Sequence, residues 1–283
     1  MADTATVSTS SADDERPDTE GSPPDRQPGP VEERLDRIGH FLGFAGQFFV
    51  RVWRRPFEGR EFINQLDEVG SRSFVLTAVT GFAIGIVMAM QSRGTLARFG
   101  AEAVLPNMLA LAVFKEIGPV FTSLVLAGRL GAGMGAEIGS MRVTEQIDAL
   151  EVAALKPYHY LVVTRVLACI VMFPILTIWT DIIALVGGYL ESVLATNMDY
   201  RIFITTAFSS MRFSDLLVDT FKTSAFGFIV GIVSCYLGYH VRGGTREVGK
   251  AAMQAVVTSS LLILLADVLI VRISLMFFGN VGG

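Results

Sequence analysis

The stretch AGRLGAGMGAEIGSMRVTEQIDALEV, residues 127–152, places repeated glycines and charged side chains between two long apolar segments. Apolar segments of that length are typical of membrane-spanning helices, in which buried charge is unfavourable. The stretch is therefore predicted to connect two such helices outside the hydrocarbon. The chain is accordingly predicted to be an all-α integral membrane protein.

The composition favours the same fold class. Hydrophobic residues make up 51% of the 283 residues, and the mean hydropathy of +0.51 is high for a soluble domain. Residues 1–34 differ, because they carry nine acidic residues against three arginines and are rich in polar residues and proline. Such a segment buries too little apolar surface to fold, so a disordered acidic tail is predicted there. No basic patch is present, and nucleic acid is not a predicted partner.

The apolar residues after the tail predict the membrane topology. Residues 35–57 are predicted to form an amphipathic helix at the membrane interface, since apolar residues recur every three or four positions with arginines elsewhere around the helix. Residues 70–283 then form the membrane domain. Its five predicted spans, each near the ~20 residues that cross a hydrocarbon core, are 74–90, 103–128, 166–190, 223–241 and 251–271.

The distribution of lysine and arginine predicts the orientation. With the amphipathic helix inside, twelve of these cations, Arg165 among them, lie in loops near the inner ends of the spans, and five, including Lys222, lie in the outer loops. The positive-inside rule then predicts a multi-pass protein of the cytoplasmic (inner) membrane with a cytoplasmic N-terminus and an outside C-terminus.

The polar connection is predicted to contain a short cytoplasmic helix at about residues 139–153. Val143, Ile147 and Leu150 share one face of that helix. The other face carries an acidic line, which consists of Glu145, Asp148 and Glu151. Just before it, Ala127, Gly131, Gly135 and Gly139 recur every four residues, which predicts a smooth seam for close helix packing.

Two charges fall in the middle of the second predicted span. Lys115 and Glu116 are each expected to cost about 2.5–3.5 kcal/mol there, so such residues usually face a cavity or a partner. As neighbours in a helix they point about 100° apart, which disfavours a mutual ion pair. Pro106 and Pro119 flank them and predict a kinked or broken segment. Glu116 is therefore a candidate residue of an internal cavity.

Two aspartates also lie inside predicted spans, and they leave alternatives open. Asp181 and Asp267 are each expected to bond a polar side chain nearby, with Arg272 a candidate for Asp267. Intramembrane carboxylates also fit a proton-coupled secondary transporter, which would use Glu116, Asp181 or Asp267. An intramembrane aspartyl hydrolase is a third possibility, but neither aspartate stands in a GxGD pattern.

Part of the sequence resembles the signature of the MlaE/YrbE permease family. The matching motifs are Ala127-Gly128-Arg129, Gly131-Ala132, Ala136-Glu137-Ile138-Gly139, Met141-Arg142, Thr144-Glu145-Gln146-Ile147-Asp148-Ala149-Leu150 and FKEIGPV at 114–120. The resemblance covers about residues 35–283. One departure is LKP at 155–157, where many members have an acid before the proline, so Lys156 puts the local loop contacts in doubt.

The resemblance implies the permease subunit of an ABC transporter for phospholipid or related lipids. It implies two copies of this chain, a cytoplasmic ABC ATPase dimer and an MCE-domain protein on the outer side. The residues implied to couple to the ATPase are Arg129, Glu137, Arg142, Glu145, Gln146, Asp148 and Glu151. It also implies a lipid pocket near Lys115 and Glu116.

The sequence contains no ATP-binding loop of its own. GxxxxGK[ST] does not occur, so a Walker loop that cradles ATP phosphates is missing. The chain is therefore predicted to be a transporter subunit without enzymatic activity or cofactor, and ATP is predicted to be used by the partner. Transport that vanishes when a separate ATPase is disabled would distinguish this function from secondary transport and from hydrolysis.

Overall fold

A computed structural model describes residues 30–52, 59–209, 211 and 213–278, and nearly all of them are helical. The predicted acidic tail up to residue 29 lies outside the described residues. Within them, five helices are long and apolar enough to cross a membrane, which confirms the predicted fold class. They span Gly59–Arg98, Glu102–Val143, Tyr158–Thr196, Phe221–Tyr239 and Thr245–Ser274.

Eight helices are used to describe the fold. They are α1 (Pro30–Arg51), α2 (Gly59–Arg98), α3 (Glu102–Val143), α4 (Gln146–Val152), α5 (Tyr158–Thr196), α6 (Tyr200–Ala207), α7 (Phe213–Tyr239) and α8 (Thr245–Phe278). The described residues 30–40 belong to one unit, and the described residues from Phe41 onward form a second, compact unit that contains all the sites below.

The helix α1, which is predicted to lie at the membrane interface, begins five residues earlier than expected. Pro30 is its first residue, a position where the fixed φ of proline suits a helix start. In the second unit, Phe44 and Phe48 are buried, whereas Leu42 and Phe49 are exposed. The residues after Phe41 therefore have two apolar sides: one packs on the protein, and the other is available to lipid.

The membrane helices are longer than the predicted spans because helix formation does not stop where the sequence becomes polar. The 40 residues of α2 extend about 60 Å, twice the ~30 Å of a hydrocarbon core. Its polar first part includes an ion pair at 2.9 Å between Arg72 and Glu68, one turn apart. Hydropathy located only the part of the helix that crosses the hydrocarbon.

The extensive packing between α2 and α5 depends on glycine. A Cβ atom at Gly81 would lie 2.5 Å from the carbonyl oxygen of Thr180, and one at Gly187 would lie 2.5 Å from the carbonyl oxygen of Phe82. Real Cβ atoms essentially never come that close to another heavy atom. Only glycine permits this backbone-to-backbone contact.

The short helix α6, between α5 and α7, was not predicted. The Asp199 side chain caps it by accepting a hydrogen bond from the backbone N–H of Arg201 at 3.1 Å. Its own residues Phe203 and Ala207 are buried. Eight residues are too few for a clear hydropathy signal, so the pattern alone missed this helix.

Candidate functional site

A π turn in α3 shapes the region around Lys115 and Glu116. Residues Val113–Ile117 form this turn, and the Gly118 N–H bonds to the carbonyl of Val113. In a regular α-helix, the N–H of residue 119 would bond to the carbonyl of Lys115, but Pro119 has no N–H. The helix α3 continues through Pro106 and Pro119 instead of breaking. Because Pro119 has no N–H, the carbonyl oxygen of Lys115 can accept a hydrogen bond from another group.

Lys222 of α7 supplies that donor. Its Nζ donates a hydrogen bond to the Lys115 carbonyl oxygen at 3.0 Å and another to Glu116 Oε2 at 2.9 Å. The same Nζ forms an ion pair at 2.9 Å with Asp267 Oδ1 of α8, without the angles of a hydrogen bond. We call Glu116, Lys222 and Asp267 the charged triad, and it joins three membrane helices.

Exposure differs sharply across the charged triad. The Lys222 side chain is 2% exposed, Asp267 is 17% exposed and Glu116 is 48% exposed. The cation is thus enclosed, while the Glu116 carboxylate lies at the accessible edge. Two carboxylates share one ammonium, so this arrangement carries a net negative charge that favours a polar environment at Glu116.

The charged triad was only partly predicted from sequence. Lys115 and Glu116 were assigned to a lipid pocket, and both are exposed side chains of α3. Lys222 was assigned to an outer loop because it immediately precedes an apolar run. A helix that starts at Phe213 instead carries it into the helix bundle. The ion-pair partner of Asp267 is this lysine, although Arg272 was the candidate from sequence.

Asp181 lies on the other side of the same π turn. It is buried on α5, and a Cβ atom added at Gly118 would overlap its carboxylate. The Gly118 position therefore allows the α5 aspartate to approach the α3 backbone. Proton coupling or hydrolysis at Asp181 and Asp267 stays an alternative hypothesis from the sequence.

The short helix that was predicted at about residues 139–153 begins later than expected. α3 continues to Val143, and the chain then turns at Glu145, whose φ of 58° is in the left-handed region. The short helix that follows is α4, in which Ile147 is buried. The exposed side chains there include Glu145, Gln146, Asp148 and Glu151. Arg142 pairs with Asp148 at 2.6 Å across the turn.

The other two predicted coupling residues contact the helix bundle. Arg129 donates a hydrogen bond to Ser73 Oγ of α2. Glu137 accepts one from Arg165 Nη2 at 2.7 Å, and Arg165 is only 3% exposed. Arg165 also donates to the Leu161 carbonyl at 3.0 Å, in the π turn that opens α5. Counting Arg165 as a loop cation had hidden this contact.

The predicted glycine seam lies where α3 meets α7 and α8. Gly131, Gly135 and Gly139 are buried. A Cβ atom at these positions would lie 3.5 Å from Ser234 Oγ, 3.3 Å from the Ala252 Cα and 3.1 Å from Val241 Cγ2, respectively. The packing is close but looser than between α2 and α5, and the role of these glycines in assembly stays a prediction.

Comparison with known proteins adds the family. The family model described as Permease MlaE matches residues 62–273. The chain belongs to the MlaE permease family.

Proteins with related names share most of this chain. A probable ABC transporter permease protein of Rickettsia felis is 39% identical over 236 residues, which cover 83% of this chain and 91% of that protein. A probable ABC transporter permease protein of Synechocystis is 34% identical over 79% of this chain and 85% of its own length. The chloroplastic protein TRIGALACTOSYLDIACYLGLYCEROL 1 of Arabidopsis thaliana is 32% identical over 84% of this chain and 67% of its own length.

Family membership establishes a coarse function. This MlaE-family chain is a membrane permease subunit of an ABC transporter. The charged triad and α4 lie inside the matched residues 62–273, whereas α1 precedes them.

Proposed function

We propose that this permease moves phospholipid or related lipids across or between membranes. The observation that supports the proposal most directly is the half-exposed Glu116 carboxylate, held by the enclosed Lys222 within membrane helices. A carboxylate facing hydrocarbon is unfavourable, whereas one facing a path for headgroups and water is not. Glu116 and the neighbouring exposed Lys115 can then contact the polar end of a lipid.

The name of one relative supports a lipid substrate. The Arabidopsis relative carries the name of a glycolipid, trigalactosyldiacylglycerol. A diacylglycerol lipid has two acyl chains and a polar headgroup, and its transport requires an apolar route with local polar contacts. The charged triad among apolar helices offers that combination of surfaces.

The proposed complex has further subunits. A cytoplasmic ATPase dimer docks on the acidic surface of α4 and supplies the energy, since this chain has no Walker loop. A second copy of the chain pairs beside Glu116 and encloses the lipid path. An MCE-domain protein on the outer side exchanges lipid with this path, in a cytoplasmic (inner) membrane with the N-terminus inside.

Glu116→Gln tests the lipid path. The amide retains an oxygen that accepts a bond from Lys222, so the protein should fold, but the negative charge beside the path is lost. We expect ATP-dependent lipid transport in liposomes to fall about tenfold. That factor corresponds to the loss of one hydrogen bond between the charged carboxylate and the polar end of the lipid. Glu247→Gln, which changes an exposed carboxylate of α8, is the matched control.

Transport is compared per folded complex, so that a loss of protein stability is not counted as a loss of transport. Unchanged transport by Glu116→Gln per folded complex would contradict the lipid-path assignment. Lipid transport that persists with a Walker-lysine variant of the ATPase would instead favour the alternative, a proton-coupled secondary transporter that uses intramembrane carboxylates.

Charge reversal on α4 tests the docking surface. Replacing Glu145 and Asp148 together with lysine should reduce recovery of the ATPase with the purified permease by more than about tenfold, since like charges brought together at an interface cost several kcal/mol. Glu247→Lys reverses an exposed acid outside α4 and should leave recovery unchanged. Equal ATPase recovery with the double variant and the control would argue against docking at α4.

A further inference from the structure

A cavity of about 690 Å³ lies apart from the charged triad. Its walls come from the second half of α1, the loop between α4 and α5, the start of α5, and the end of α7. The lining residues on which the inference depends are Arg51, Glu151, Lys156, Tyr158, His159 and His240.

The wall of this cavity carries two permanent cations and one carboxylate among its described lining residues. Arg51 and Lys156 carry permanent charges, and two imidazoles, His159 and His240, lie among the lining residues. Glu151 is the one carboxylate in the described lining. Lys156 is also where the sequence departs from the family pattern, and its exposed side chain lines this cavity.

Contacts with neighbouring groups position Arg51 and the two imidazoles of the wall. The Arg51 guanidinium lies 4.6 Å from the centroid of the Tyr158 ring, a cation–π geometry. The Tyr158 hydroxyl donates to the carbonyl of Phe44 at 2.6 Å, which fixes the ring. His159 is buried in the wall, and His240 Nδ1 lies 2.9 Å from the carbonyl oxygen of Tyr236. The Arg51 guanidinium is thus held in place at the cavity, and the exposed Lys156 side chain lies beside it in the lining.

The location of the cavity indicates the type of anion. On α1, Leu42, Phe49 and Val50 are exposed, which is typical of a helix lying at the boundary of headgroups and acyl chains. Arginine and lysine at that depth are groups that bind phosphate. The concave shape suits a compact headgroup better than the flat surface of a folded partner.

We propose that this cavity binds a phosphate-bearing anion, with Arg51 and Lys156 as its principal charge partners. The anion is either the headgroup of an anionic phospholipid or free phosphate from solution. Glu151 of the α4 surface shares the cavity wall, so an occupant contacts the segment that connects α4 to α5. Binding at this cavity does not depend on the proposed transport function.

Titration of the purified full-length chain tests the proposal. The probes are water-soluble dihexanoyl phosphatidylglycerol, inorganic phosphate and dihexanoyl phosphatidylcholine, and the readout is the saturable shift of Tm in detergent. Lys156→Gln should weaken binding roughly fivefold, because each cation near a headgroup contributes about that factor. Adding Arg51→Gln should weaken it further. Lys250→Gln, which removes an exposed lysine outside the cavity, is the matched control.

The outcomes decide both the site and the source of the anion. Phosphatidylglycerol binding without phosphate binding supports a lipid headgroup, and binding of both probes supports free phosphate as a ligand. Equal affinity in wild type and Lys156→Gln, or equal shifts by phosphatidylcholine and phosphatidylglycerol, would overturn the proposal. It would also be overturned if neither anionic probe bound while Lys156→Gln reduced ATPase recovery, since the cavity would then be a protein docking site.

Discussion

Replacing Lys222 with methionine is expected to destabilise the folded protein by about 3–5 kcal/mol, the range for breaking a buried ion pair by removing one partner. Methionine matches the length of lysine but lacks its ammonium. The carboxylates of Glu116 and Asp267 would then lose the cation they share, and the Lys115 carbonyl would lose its donor. Thermal and denaturant unfolding in detergent would measure the loss.

A neutralised background separates charge from packing. If the penalty arises from uncompensated carboxylates, Lys222→Met should be far less harmful in a protein that also carries Glu116→Gln and Asp267→Asn. Lys250→Met is the control, because its partner Glu247 is exposed and such surface pairs contribute about 0–1 kcal/mol. Equal losses for Lys222→Met in the original and neutralised backgrounds would show that the charged triad does not hold the three helices together electrostatically.

The contrast between Lys222 and Glu116 shows what a sequence pattern can reveal about a membrane site. Glu116 stands out because it and Lys115 interrupt a long apolar segment. Lys222 precedes the apolar run of α7 and resembles an ordinary boundary cation. Its burial depends on α3 and α8, which are distant in sequence and supply its two carboxylates. Hydropathy along one segment contains no information about those partners.

Helix type was easier to predict than helix ends. Long apolar runs identified the membrane helices, because crossing hydrocarbon demands both length and low charge. The end of α3 at Val143 depends instead on the left-handed conformation of Glu145. A glutamate carries no strong preference for that conformation, so the sequence indicated one longer helix. The surrounding fold determines where the turn occurs.

The glycine contacts show a similar limit. Gly131, Gly135 and Gly139 recur every four residues in one helix, and that period is visible in the sequence. The tightest contacts between α2 and α5 instead combine single glycines with carbonyl groups of the opposite helix. Their alignment depends on how the two helices are placed against each other. A sequence pattern within α2 or α5 alone could not identify this alignment.

Gly85→Ala is expected to cause a loss of stability of about 3 kcal/mol, at the upper end of the usual range for overpacking. A Cβ atom at Gly85 would lie 2.7 Å from the carbonyl carbon and 2.9 Å from the Cα of Ala184, and closer still to the carbonyl oxygen. These are backbone atoms of α5, so no side-chain rotation can relieve the overlap. The two helices would have to move apart over their shared length.

Two alanine variants make this prediction specific to the contact. Gly94→Ala changes the same helix, but its Cβ atom would meet no heavy atom within 4 Å, so the better helix propensity of alanine should leave stability equal or up to about 1 kcal/mol higher. Gly131→Ala places a methyl group 3.5 Å from Ser234 Oγ, an ordinary contact, and should have a small effect. Unfolding in detergent should therefore show that Gly85→Ala is far less stable than Gly94→Ala and Gly131→Ala. If all three variants have the same stability, α2 and α5 do not make a close backbone contact at Gly85. The packing that positions Asp181 beside the α3 π turn must then be arranged differently.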